Sequence, residues 1–469
     1  MGKALISTVL IASLLGGTAV GQKKYQRPQV KTPNTFRGAE AGTQPDQASL
    51  GELRWFEIFK DEQLQQLIRT AFVQNYDLRQ AVARVDAARA NLGLTRSEQF
   101  PQFEAGADIT TVGLSRSGQI ALPGGFSRKR TFGEIFLGLL SFELDVWGRL
   151  RRQTKAARAE LAASEEDRRT VLTLVVSDVA TSYFRLIELD AELEISKRTL
   201  ATRQDSLRLI NSRQQGGLAT LLDVRQAEQL VNTASQAISD IERQIDQTEN
   251  QITLLTGQNP GPVRRGRPLD AQQQPPAVPA GLPSSLLERR PDIRSAEQLL
   301  IAADANVGVA RAAYFPRISL TGLLGFQSDQ LSNLFKGPSG IWSFIPRITQ
   351  PIFTAGRLKS NVRFAKAQQQ FALTEYERVI QTAFTEVSNG LVQYRKVREI
   401  RLQQEQLVAT LQDRSRLAYL RYQGGVDTLL SALDADRDLF SAELDLTQDK
   451  RDELLALVNL YRSLGGGWQ

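Results

Sequence analysis

The chain aligns with itself, and the spacing of the matches constrains its fold more than any other feature. Residues 77–103 match 292–318 without a gap at an offset of 215. Eleven of the 27 positions are identical, among them Asp77/Asp292, Arg79/Arg294, Asn91/Asn306, Gly93/Gly308 and Phe100-Pro101/Phe315-Pro316. A second ungapped match, at an offset of 208, opens at Gly148-Arg149-Leu150 against Gly356-Arg357-Leu358. It continues through 213–222 against 421–430 and reaches Gly257 against Gly465. The offset changes by seven between the blocks, so the insertion lies in 104–147. Intervals that keep their length while their content varies are what long packed helices require. One inserted residue would turn every later side chain by about 100°.

The hydrophobic pattern agrees. In 224–255, Val224, Ala227, Val231, Ala234, Ile238, Ile241, Ile245, Ile252 and Leu255 follow alternating steps of three and four, with Thr248 the exception. That is a coiled-coil seam. The proline-free stretch 149–212 carries another through Leu172, Val176, Val179, Tyr183, Leu186, Leu193, Leu200 and Leu207, and 357–421 is also proline-free. A helix of about 65 residues is on the order of 100 Å long. Its partners, 218–257 and 426–464, are about 40 residues, near ~60 Å. A shorter periodic stretch, 62–98 or 285–313, opens each repeat and would sit end to end with the shorter helix. The pattern predicts a wall of long rods beside two-piece rods. Gly216-Gly217 and Gly424-Gly425 supply the turns. Thr220 with Asp223 reads as a capping box with an acid at N3.

Four segments alternate with period two. Phe103, Ala105, Ala107 and Ile109 alternate with Glu104, Gly106, Asp108 and Thr110; Leu140, Phe142, Leu144 and Val146 alternate with Ser141, Glu143 and Asp145. Ile318, Leu320, Leu324 and Phe326 form a third set, and Trp342, Phe344, Ile348 and Ile352 a fourth. Strands are expected at about 103–112, 136–147, 316–327 and 341–353, long enough for tilted membrane strands with an apolar outside. Four strands of a soluble sheet would alternate in the same way. Four cannot close a membrane barrel, which begins at about eight, so a barrel would be shared between copies. Two copies give eight strands and three give twelve, and the larger leaves an open lumen. The Gly/Ser-rich loops 113–133 and 328–340, the first with the basic cluster Arg128-Lys129-Arg130, would lie outside the cell.

The N-terminus reads as an export signal. Lys3 precedes an apolar run from Ala4 to Leu15, and small residues offer cleavage at Ala19-Val20-Gly21, leaving Gln22 near the new terminus. No later segment approaches 18 consecutive apolar residues, so a membrane crossing would have to be a β-barrel. Composition narrows the chemistry. The chain has no cysteine, no histidine and only the initiator methionine. Disulfides, thiolate zinc sites, Cys nucleophiles, Ser-His-Asp triads and His-ligated metals are excluded. A carboxylate-only hydrolase and a structural coiled-coil surface protein stay open. A net charge of +7 is mild over 469 residues and fits a solvated surface.

The organisation follows. Signal peptide 1–21 and an N-terminal segment 22–60 precede repeat one, 61–257, with its hairpin tip at 213–223. A linker covers 258–284; the stretch 258–291 holds eight of the chain's 17 prolines. Repeat two, 285–464, has its tip at 421–431, and a tail covers 465–469.

The mature chain resembles the TolC-family outer-membrane factors, in particular the efflux lipoproteins that serve resistance–nodulation–division (RND) pumps. The residues that carry the resemblance are Tyr25-Gln-Arg-Pro28; Trp55 with Asp61 and Leu64; Phe142-Glu-Leu-Asp-Val-Trp-Gly-Arg149; Gly281-Leu-Pro-Ser-Ser-Leu-Leu-Glu-Arg-Arg-Pro-Asp-Ile293; and Phe315-Pro316. The resemblance implies a mostly α protein with membrane β: a homotrimer whose 12-stranded β-barrel continues into a long periplasmic α-helical barrel. It implies an outer-membrane exit duct without enzymatic activity or cofactor, passing small molecules from an RND-type transporter through a periplasmic adaptor. Partners would include outer-membrane lipid but no nucleic acid. Type I protein secretion uses the same scaffold and stays open as the alternative. By the same resemblance, the tips that meet the adaptor are Gly217, Leu218, Ala219, Thr220, Leu221 and Leu222, with Gly425, Val426, Asp427, Thr428, Leu429 and Leu430. The periplasmic gate maps to an acid ring at Asp434, with Ser431 where some members carry a second acid, and to Tyr422, Arg421 and Asp223. Asp427 stands where some members have a basic residue. Thr18 stands where the lipoprotein branch has its lipidated cysteine, so the resemblance predicts a duct held by its barrel alone.

Overall fold

A computed structural model of the chain describes residues 25–30, 32–33, 35–38, 49–113, 129–272 and 283–468. The expected signal peptide, Thr18, most of the expected first outer loop and the proline-richest part of the linker lie outside these residues.

The helices are α1 (Trp55–Ile58), α2 (Glu62–Gln74), α3 (Tyr76–Ser97), α4 (Arg149–Gln215), α5 (Leu221–Leu255), α6 (Leu286–Arg289), α7 (Pro291–Ala312), α8 (Arg357–Gln423) and α9 (Leu429–Ser463). The strands are β1 (Phe103–Gly113), β2 (Lys129–Leu144), β3 (Arg317–Ser328) and β4 (Gly340–Thr349). Three pairs of corresponding helices agree in length to the residue: 22 for α3 and α7, 67 for α4 and α8, 35 for α5 and α9. The shorter hairpin helices therefore stop a little before the expected 40 residues. The expected single helices 62–98 and 285–313 are each broken. Asn75 is extended (φ −57, ψ 131), its Oδ1 accepts from Leu78 N (2.9 Å) and its Nδ2 donates to Leu255 O (2.9 Å). It ends one helix and starts the next. In repeat two, Pro291 at the first position of α7 forces the break at Arg290.

The chain divides into two compact units. The first contains 86–163, 296–376 and the described part of the N-terminal 29 residues. Its sheet is antiparallel in the order β1-β2-β3-β4. Residues directly opposite share a face. One face carries Phe103, Ala105, Ala107 and Ile109; Ile135, Leu137, Leu139, Phe142 and Leu144; Ile318, Leu320, Leu324 and Phe326; and Trp342, Phe344, Pro346 and Ile348. The other carries Glu104, Asp108, Glu134, Glu143, Ser319, Thr321, Gln327, Ser343 and Arg347, with Phe132, Phe136, Leu323 and Ile345 among them. The apolar face is bare in one chain: Ile109 is 81% exposed and Trp342 78%.

Three strand boundaries differ from expectation by three residues or more, the first being the end of β2, at Leu144 rather than 147. β2 starts at Lys129 rather than 136, so Lys129 and Arg130 belong to the strand and not to the loop. Two charges at a strand's outer end, beyond the apolar band, break no pairing. β2 also contains a bulge between Leu139 and Phe142, where the pairing steps from Gly322 to Leu320. Below it the alternation changes phase, so Leu139 and Phe142 share a face although three residues apart. β4 stops at Thr349 rather than 353, and Pro351, with no N–H to donate, follows closely.

The sheet's base is tied by residues of the sequence motifs. Arg149 donates two bonds to Glu143 (2.9 Å each), and Arg317 reaches the same carboxylate at 3.1 Å. Asp145 accepts from the N–H groups of Leu150 and Arg151, capping the start of α4. Trp147 stacks on Phe315 (4.8 Å, 21°) and donates to Pro316 O (2.8 Å).

The second unit contains 30–85, 164–295 and 377–469. Asp61 is its hub. It caps α2 through Gln63 N and Leu64 N and accepts from Tyr183 OH (2.9 Å), Arg267 N (2.8 Å) and Gln272 Nε2 (3.0 Å). Burial alone would raise its pKa, but these bonds hold it below the usual carboxylate range. Arg290 of the Arg-Arg-Pro-Asp-Ile run pairs with Asp292 (2.6 Å) and Glu386 (2.7 Å) and donates to Ser463 O. The linker is laced to the hairpin helices. Arg265 pairs with Asp190 and Glu249, Lys450 with Asp270 (2.6 Å), and Val263 packs with Leu186, Leu189, Ile241, Ile245 and Ile252. One 18-residue window of α4 is apolar enough to cross a membrane, but 56% of it is buried within the protein.

Candidate functional site

The candidate site is the end of the second unit where both hairpins turn. Each turn uses a glycine in the left-handed region, Gly217 (φ +73) and Gly425 (φ +75). Nothing crowds either position, so backbone conformation alone demands glycine there. Leu218 N then donates back to Arg213 O (2.8 Å), and Val426 N to Arg421 O (3.0 Å).

Beyond the turn the two tips diverge. At tip one, the Thr220 hydroxyl accepts from Asp223 N (3.2 Å) while Asp223 accepts from Thr220 N (2.7 Å), the reciprocal capping box expected of these residues. At tip two, Thr428 caps α9 through Ser431 N (3.4 Å), and position N3 is a serine. The carboxylate comes from Asp427 instead, one residue before the cap. It accepts from Thr428 N (2.8 Å) and Ser431 Oγ (3.0 Å) and pairs with Arg421 (3.1 Å) across the turn. Those contacts, the Thr428 N–H first, lower its pKa. Arg213, the counterpart of Arg421, faces Ala219 in place of an acid; its guanidinium stacks on the Tyr422 ring of hairpin two, 4.8 Å from the centroid.

The tips expose apolar residues. Leu218 (81%), Leu221, Leu222, Val426 and Leu430 stand in solvent. Leu429 does not: at 4% exposed it packs with Ile210, Val224, Ala227 and Leu433 where the hairpins meet. Asp434 is half-exposed, and Arg437 lies 3.2 Å away, one turn on. Within one chain, Asp223 bonds inside its own cap and Arg421 inside its own turn, and no hydrogen bond joins Asp223 to Arg421 or Tyr422 among the described residues.

Above the tips, α4 and α9 share a ladder of polar pairs absent from the sequence reading: Glu188–Arg451 (3.1 Å), Gln448–Glu192 (3.0 Å), Arg198–Glu443 (2.8 Å) and Arg203–Asp436 (2.7 Å). Each joins residues more than 230 positions apart, so local periodicity carries no trace of them. Glu188 is fully buried. Burial, then the neighbouring Glu192, push its carboxyl up to about 7 against the pull of Arg451 and Arg185.

An outer membrane efflux protein family model matches the chain twice, at residues 67–258 and 282–466. The chain is 39% identical to the toluene efflux pump outer membrane protein TtgC of Pseudomonas putida, over 100% of this chain and 96% of that protein. It is 36% identical to outer membrane protein OprJ of Pseudomonas aeruginosa, over 99% and 96%. Among solved structures, the open state of the Neisseria gonorrhoeae MtrE outer membrane channel superposes with a TM-score of 0.85 at 33% identity, covering 95% of this chain and 98% of that one.

Proposed function

The chain belongs to the outer membrane efflux protein family and is an outer-membrane channel of an efflux system, not an enzyme; we propose that it works as a homotrimer. The observation that carries this is the sheet. One face carries an apolar band across all four strands, and among the described residues the outer edges of β1 and β4 are unpaired. In hydrocarbon every backbone N–H and C=O needs a partner, so an open edge cannot stay open. β1 and β4 run in opposite senses, so β4 of one copy can meet β1 of the next antiparallel and the ring can close. Three copies make a twelve-stranded barrel with its apolar face to lipid and its polar face to an open lumen.

The hairpins then form the periplasmic end. A three-fold ring of Asp434 concentrates negative potential in a narrow pore, moderated by Arg437, with Ser431 leaving the ring single. Tyr422, Arg421 and Asp223 brace the closed state. The adaptor docks on the exposed tip residues Leu218, Leu221, Leu222, Val426 and Leu430 with Gly217, Ala219, Thr220, Gly425, Asp427 and Thr428; Leu429 supports them from behind. An RND-type transporter delivers small organic molecules through the adaptor and supplies the energy. Partner contacts shift a two-state closure.

Native mass spectrometry of the detergent-extracted protein tests the assembly. A mass of three chains is expected, and a monomer or dimer under mild extraction would overturn it.

A further inference from the structure

The α4–α9 ladder holds one residue that ties α4 to both α5 and α9. The Arg203 side chain, on α4, is 3% exposed. Its Nε donates to Asp436 on α9 (2.7 Å), its Nη1 donates to Leu230 O on α5 (3.1 Å), and its guanidinium carbon lies 4.9 Å from the centroid of the Phe440 ring, also on α9. Burial raises the pKa of the half-buried Tyr419 of α8, against a hydrogen bond with Ser206, one turn further along α4. Arg203 Nη2 has no acceptor among the described residues. A charge this buried tolerates no further loss of partners.

The consequence for the gate is rotational. Asp436 lies two residues beyond Asp434, and two residues turn a helix by about 200°. Pinning Asp436 into the seam with α4 therefore turns Asp434 to the opposite side of α9. We infer that Arg203 is a positioning residue for the closed end: through Asp436 it fixes the rotation of α9 and so the direction in which Asp434 points. This rests on the reading of a trimeric duct that closes at the hairpin end. The staple occurs once per chain. At the offset of 208, Arg203 corresponds to Leu411 and Asp436 to Glu228, so the matching seam, α8 against α5 of a second copy, has no such pair. Glu228 is engaged with Arg225 on its own helix.

Two readouts test this on the full chain. In planar bilayers, Arg203→Met and Asp436→Asn are expected to raise resting conductance, while Glu228→Gln leaves it unchanged. Arg203→Met/Asp436→Leu, which leaves no unpaired buried charge, is expected to keep its trimers and still conduct above wild type. If that double variant were trimeric and as closed as wild type, the positioning role would be refuted. Independently, backbone amides of 429–440 are expected to exchange on the order of 10- to 100-fold faster in Arg203→Met. Amides of tip one, 216–223, should change less. Equal acceleration at both tips, or none, would also overturn the inference. Absence of any pore in the wild type would instead sink the duct reading, and the exchange experiment would still decide the role of Arg203.

Discussion

Tip one and tip two have the same length, the same glycine pair and the same threonine cap, and differ in where one carboxylate sits. In tip one it stands at N3, Asp223, and closes the capping box. In tip two it stands before the cap, Asp427, and reaches back to Arg421 across the turn. Moving the acid by four residues changes what each arginine does. Arg421 braces its own hairpin, whereas Arg213 is free to stack on Tyr422 of the other. The leucines follow the same division. Leu221 is 60% exposed, and its counterpart Leu429 is buried. One backbone thus supports two roles. Tip one keeps its leucines in solvent and lends its arginine; tip two is braced within itself and carries Asp434.

The comparison can be broken at several points. The largest effect is expected at Glu188, whose counterpart in repeat two is Lys396, exposed and paired with Glu399. The folded protein holds a proton on Glu188 up to about 7, where an unperturbed glutamate has lost it above about 4.5. The folded state therefore binds the extra proton, and this group's contribution to stability falls as pH rises through that window. Glu188→Gln should flatten the pH dependence of the thermal midpoint between those values; an unchanged slope would show the carboxyl to be ionised throughout. A smaller difference is expected between the caps. Thr220→Ala should cost about 1 kcal/mol and Thr428→Ala less, because the Thr220 bond is shorter and is answered by Asp223. Equal losses in thermal unfolding would remove the asymmetry. Smallest is Arg213→Ala, which should cost about 0.5 to 1 kcal/mol through the lost ring contact and loosen tip one from hairpin two. That loosening is read as faster tryptic cleavage near the tips.

Much of the fold was legible because it is periodic. The seams, the glycine turns, the Thr220–Asp223 cap and the four alternating segments all follow from residue spacing. The bulge had only one local sign, the doublet Leu139-Leu140, where two apolar residues sit side by side and the alternation slips. Lys129 and Arg130 read as loop because they belong to a Gly/Ser-rich stretch, yet at the end of β2, past the apolar band, they pair with Gly113 and Val112. The resemblance picked out Asp61 and the Arg-Arg-Pro-Asp-Ile run without a reason for them. The reason is tertiary: Asp61 gathers donors from Tyr183, Arg267 and Gln272, and Arg290 joins Asp292 to Glu386 and Ser463. Arg203 gave no sign at all, since its partner lies 233 residues away. In a molecule of long rods, spacing along the chain reports which face a residue is on, but not which distant rod it meets.

The central claim is a duct that three chains build and that hairpin two closes. Single-channel recording of the wild type beside Asp434→Ala tests it most directly. A small resting conductance is expected for the wild type and a larger one for the variant, as the three-fold carboxylate ring is lost. A variant pore as closed as wild type would contradict the assignment of the gate, and the absence of any pore would contradict the duct itself.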